Sequence, residues 1–145
     1  MKKKKQEPGN ILELLIRENL KIYARILEFP LVAYYKEYDK ENKILKECIF
    51  EALTSKSSFK DAKYIDWIEL TDKEKIPRKY YRFDIIKKVF FISCNGVETE
   101  SKKEDILDLQ RLAVWDLPHI SERAIAYFEG RESKYLKSLE SVKYG

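Results

Sequence analysis

The chain has 145 residues, 44% of them hydrophobic and 13% aromatic, a size that suits one domain, or two only if both are small, and an apolar content that excludes wholesale disorder. Lysine plus arginine is 29 and aspartate plus glutamate is 25; residues 2–5 are all Lys, so the net charge of +4 sits in that tail and residues 6–145 balance to zero, which excludes a basic nucleic-acid-binding body. No apolar run approaches the roughly 18 to 20 residues that span a bilayer, and no apolar segment follows Met1 to Lys5 as a signal peptide requires, so the expectation is a cytoplasmic protein with no membrane span.

Residues 1–9 read as a disordered basic tail, and loss of residues 1–8 is expected to leave the fold intact. Asn10 with Glu13 three positions on fits a capping box, and Leu12, Leu15 and Ile16 share a helical face, which predicts a helix from Ile11. Residues 20–28 fit either a continued helical period or strand alternation; Asn19 is a candidate break, and Pro30 stops either element. Residues 31–38 are rich in strand formers, and residues 39–42 make a polar turn. Beyond it Ile44, Leu45, Cys48, Ile49, Ala52 and Leu53 fall on one helical face, which favours a helix over the second strand of a hairpin. Residues 63–70 read as a strand. Residues 80–93 are the most strand-like segment, closed by a turn at Asn95 and Gly96. Residues 104–117 stay open between a helix and two short strands, and from Pro118 to Val142 the pattern is mostly helical, with Gly130 a break or a cap.

The expected architecture is α+β, a small antiparallel β-barrel or sheet with helices at the N- and C-terminal ends. Residues 10–75 form an N-terminal α/β segment, and residues 76–145 a β core with a C-terminal helix. With 22 Lys and 17 Glu against six Asn plus Gln, the composition has the skew of heat-adapted proteins, and a thermophilic source is expected; an AT-rich genome gives the same bias.

Little in the chain points to catalytic chemistry. Four glycines build no phosphate-cradling loop. Cys48 and Cys94 match no zinc spacing and read as small buried hydrophobes, and the single histidine, His119, leaves no room for a multi-histidine metal site. The acidic residues Glu98, Glu100, Glu104, Asp105 and Asp108 are a metal-dependent nuclease's ligand set in principle, but with Lys102 and Lys103 among them they read as a solvated loop.

One stretch stands out, Pro77-Arg78-Lys79-Tyr80-Tyr81-Arg82-Phe83-Asp84. Two arginines four apart frame an aromatic pair just before a long strand. A short arm entering a strand aims two guanidinium forks at one anion, and guanidinium planes stack on purine faces. The same pair also suits neutralisation of nearby Glu and Asp.

The stretch resembles the opening of the PilZ domain, the bacterial cyclic di-GMP receptor family. There an Arg-x-x-x-Arg motif on a switch loop, commonly with aromatics inside it, leads into the first strand of a six-stranded barrel. Arg78 and Arg82 match the arginines, and residues 83–93 the strand. Of the second motif, Asp or Asn followed by x-Ser-x-x-Gly, Asp108 matches, while Gln110 replaces the serine and Ala113 the glycine, whose backbone freedom alanine lacks. The resemblance covers residues 76–117, and the 28 residues after Leu117 are too few for the later barrel strands plus a helix. In flagellar-brake-type relatives a second small β domain precedes the switch loop, and residues 20–70 match a reduced version of it.

The expectation is a non-catalytic ligand- or partner-binding module with no cofactor and no metal, and the resemblance gives its specific form, a regulatory domain. Arg78 and Arg82 would clamp the phosphates and guanine of cyclic di-GMP, with Asp108 and Gln110 at the guanine edge. Ordering of residues 72–82 would then pass the signal to a protein partner. The rival readings are an interaction domain with no nucleotide ligand and a nucleic-acid-binding accessory protein of mobile or viral origin using the Lys tail and exposed aromatics; the neutral body counts against the latter. A closed antiparallel barrel over residues 64–117 favours the resemblance, and a helix over 102–117 removes it.

Overall fold

Asn10–Arg17 forms a strand, β1, and not the expected helix, in a computed structural model that describes residues 5–144. The run from Ile11 to Ile16 satisfies either period, and pairing decides between them. β1 is hydrogen-bonded along one edge to β2 (Leu20–Ile26) and along the other to β5 (Lys63–Trp67), and Ile11 and Leu12 are both buried. Asn19, at φ 65°, sits in the two-residue turn that pairs Arg17 with Leu20, a left-handed conformation that asparagine tolerates. Residues 20–28, left open from sequence, are therefore strand over most of their length.

β3 (Leu31–Asp39) follows where the strand formers predicted it. The Asp39 carboxylate accepts the Asn42 backbone N–H at 3.1 Å and its amide at 2.8 Å, closing the turn into β4 (Ile44–Thr54). Here the favoured helix is overturned: β4 pairs with β3 from Leu31 opposite Leu53 to Asp39 opposite Ile44, with a bulge at Tyr34 and Tyr35. Cys48 lies exposed on this strand and Cys94 is half-buried, so neither is the buried small hydrophobe expected. A 3₁₀ turn, Lys56–Phe59, leads into β5.

The chain divides into two units, one made of the chain up to Lys75 with Val114–Ser133, the other of Ile76–Ala113 with the chain from Lys134 on. In the first unit the sheet order is β10-β4-β3-β2-β1-β5, a curled half-barrel in which β10 (Val114–Trp115) runs parallel to β4. The helix α2 (Leu117–Glu129) has Pro118 in its first turn and ends at Gly130 with φ 68°, and buries Ile120 and Ala124 one turn apart. Trp115, Tyr34 and Phe50 fill this core, and the Arg123 guanidinium lies 4.2 Å from the Phe50 ring centroid and 4.9 Å from that of Trp115.

In the second unit β6 (Lys79–Asp84), β7 (Val89–Cys94) and β8 (Val97–Ser101) form an antiparallel meander, and β9 (Gln110–Arg111) adds parallel to β6. The segment 80–93, read as one long strand, is thus a hairpin turning between Asp84 and Val89. The turn expected at Asn95 and Gly96 is present, both residues at positive φ. Residues 104–117 resolve into the end of a one-turn helix, α1 (Lys103–Ile106), then β9 and β10. The chain closes with α3 (Lys134–Glu140) and a 3₁₀ turn, Ser141–Lys143. Tyr81, Phe90 and Ile106 form the core, with Val142 packed against it. Glu140 ties this core together: its carboxylate accepts the Tyr81 hydroxyl at 2.9 Å and the Arg111 backbone N–H at 2.7 Å, and pairs with Lys143 at 3.0 Å.

The α+β class and the helices at the C-terminal end are as expected; the N-terminal helix is absent, and the strands form two open sheets. Lys2 to Lys4 of the expected tail lie outside the described residues. Residues 5–9 are bonded in: the Lys5 ammonium donates to the Phe59 and Lys60 carbonyls, both at 3.0 Å, Gly9 N–H to Ile26 at 2.8 Å, and Trp67 Nε1 to the Pro8 carbonyl at 3.0 Å. Asn10 donates its amide to the Lys5 carbonyl at 3.1 Å instead of capping a helix.

Candidate functional site

Alternation along β6 divides its side chains between two faces. Tyr81 and Phe83 turn to the core of the second unit, which leaves Tyr80 and Arg82 on the opposite, outer face. Register supplies their neighbours: Arg82 stands opposite Phe91, Tyr80 opposite Ser93 on one side and Gln110 on the other. The Arg82 guanidinium lies over the Phe91 ring, 4.5 Å from its centroid. Its fork grips Glu98 of β8, Nε at 3.1 Å from Oε1 and Nη2 at 2.8 Å from Oε2. The bond to Arg82 holds the Glu98 carboxyl below its ordinary range, and the same bond raises Arg82. The pair is solvent-accessible, with side chains 42% and 38% exposed.

The sequence-predicted residues are thus partly assembled. Arg82 and Gln110 share the outer face. Arg78 is half-buried just ahead of β6, and one guanidinium nitrogen donates to the Ile76 carbonyl. Asp108 lies exposed in the turn between α1 and β9, outside the strand that carries Gln110. Phe91 was missed, and Glu98, read from sequence as part of a solvated acidic loop, stands on β8 as the partner of Arg82, in line with the neutralisation reading of the arginine pair; their place beside Arg82 follows from register once the turns after Asp84 and at Asn95 are placed. Among the described residues no group of three or more His, Cys, Asp or Glu is arranged to hold a metal ion. No helix among them is long and apolar enough to cross a membrane.

No protein-family model, curated protein or solved structure matches this chain.

Proposed function

We propose that the protein is a non-catalytic binding module that takes a planar, anionic ligand on the outer face of β6, β7 and β9 and signals to a protein partner in the cytoplasm. The observation that carries this reading is the Arg82 guanidinium, stacked on Phe91 and still solvent-accessible. One side of the fork lies over the ring, the exposed remainder would serve as a surface for a purine, and the N–H edge is suited to a phosphate. Glu98 occupies that edge, so a phosphate binds by exchange with a resident carboxylate.

The PilZ resemblance makes cyclic di-GMP the ligand to test, with Gln110 at the base edge; the strands of residues 64–117 lie in two open sheets and not in the closed barrel that would favour it. Glu98 and Glu100 on β8 speak against a long nucleic acid, whose phosphates they would repel. Calorimetry with cyclic di-GMP tests the reading. The expected outcome is weak binding by the natural chain, strengthened at least about tenfold by Glu98→Gln, and by Gln110→Ser with Ala113→Gly, and abolished by Arg82→Ala. No heat from the natural chain or these variants at about 100 µM nucleotide, a concentration that detects a Kd of that order, overturns the nucleotide reading and leaves the protein-contact module.

A further inference from the structure

The β6–β7 turn reads Asp84-Ile85-Ile86-Lys87-Lys88, apolar at the tip where hairpins are ordinarily polar. Ile85 is 72% and Ile86 93% exposed, the latter the most exposed large hydrophobe among the described residues. The turn that presents them is fixed. Asp84 Oδ1 accepts the backbone N–H groups of Ile86 and Lys87, both at 3.0 Å, the Lys88 N–H donates to the Asp84 carbonyl at 2.7 Å, and Lys88 itself is left-handed at φ 55°. Two branched apolar side chains are therefore held away from their own core, and two exposed lysines stand directly beside them.

We propose that this tip docks on an anionic lipid surface. Ile85 and Ile86 enter the boundary between headgroups and acyl chains, and Lys87 and Lys88 rest among the acidic headgroups. The adjacent lysines favour a bilayer over an apolar protein pocket. A pocket deep enough for the isoleucines would strip water from the ammonium groups, whereas at headgroup level they stay hydrated beside opposite charge. The preformed turn removes the ordering cost of insertion. Two isoleucines and two lysines give reversible attachment, each isoleucine contributing roughly tenfold or more to the partition coefficient and each lysine about fivefold.

The test is sedimentation of the full chain with vesicles of phosphatidylcholine alone or with about a third phosphatidylserine, at about 0.1 M salt, where screening still permits headgroup attraction. The natural chain is expected to sediment with the anionic vesicles only. Ile85→Ser with Ile86→Ser, and separately Lys87→Gln with Lys88→Gln, should each lower the partition at least about tenfold. Val97→Ser, an exposed apolar position on β8, should leave it unchanged. Thermal unfolding of every variant should match the natural chain, because the altered side chains are all exposed. Absence of sedimentation, equal binding to neutral vesicles, or an isoleucine variant that binds as the natural chain does overturns the proposal. So does a concentration-dependent dimer abolished by the isoleucine changes, which would make a second copy the occupant.

Discussion

At the scale of single residues, Arg25 carries the heaviest structural duty. Its side chain is buried, and all five guanidinium N–H groups are used. Nε and one Nη2 hydrogen bond Glu74, both at 3.1 Å, Nη1 donates to the carbonyls of Gly9 at 2.7 Å and Ile68 at 2.6 Å, and Nη2 also reaches Glu69 at 3.1 Å. Arg25→Ala takes a donor from three carbonyls and a carboxylate, of which the Gly9 carbonyl keeps the Ile68 N–H and Glu74 keeps Thr71, and should cost about 3–5 kcal/mol by urea unfolding. Arg25→Lys should recover little of this, since an ammonium reproduces neither the fork nor its reach. The effect should depend on pH. Burial alone raises the Glu74 carboxyl, but Arg25 and the Thr71 amide together hold it below its ordinary 4.5. A carboxyl depressed in the fold contributes stability that is present above its unfolded value and lost as pH falls through the folded one. The gap between natural chain and Arg25→Ala should therefore be full at pH 7 and narrow below about pH 4.

At the scale of elements, local chemistry was legible and long-range pairing was not. The strand formers of β3, the Asn95 and Gly96 turn, Pro118 at the start of α2 and Gly130 at its end each act through their own backbone preferences, and sequence reading found them. β1 has an apolar run compatible with either period, and only its two strand neighbours make it a strand. In β4 the bulge opposite Tyr34 and Tyr35 shifts the side-chain alternation by one residue, so a period of two is broken and a helical spacing appears by coincidence. The Asp84 turn contains neither Gly nor Pro, and Ile85 and Ile86 count as strand formers; the carboxylate of Asp84 makes the turn. The candidate site suffers from the same gap: the arginine motif is readable, but Phe91 and Glu98 are supplied by register. The segment 5–9 shows the cost of reading charge alone. Gly9 has φ 97°, and a Cβ there would lie 2.5 Å from Trp67 Nε1 and 2.8 Å from the Ile68 carbonyl. Gly9→Ala should cost about 2 kcal/mol or more. Deletion of residues 1–9 should lower the melting midpoint by several degrees, at about 3 °C per kcal/mol for a chain of this size, in place of the negligible change a solvated tail implies. Differential scanning calorimetry measures both.

At the scale of the whole molecule, the chain crosses between its two units three times. The first crossing, at Lys75 and Ile76, follows the polar run 71–75 that precedes the arginine motif. The second, at Ala113 and Val114, carries no compositional mark, because the strand that begins there is two residues long and is recognisable only by its parallel pairing with Leu53 and Thr54. A single cut after residue 75 therefore removes part of the first unit's core. Trp115 packs against Phe50, with ring centroids 6.5 Å apart, and Ile120 and Ala124 are fully buried. Residues 1–75 alone should form a loosely packed state that unfolds without a sharp urea transition and binds a hydrophobic dye. A chain ending at Ser133 in which residues 76–113 give way to a flexible Gly/Ser linker of about ten residues, a length that reaches roughly 15–20 Å on average, should regain one cooperative transition. Its Trp115 should emit as a buried indole. A cooperative transition in residues 1–75 alone would show that β10 and α2 cover a core already complete without them.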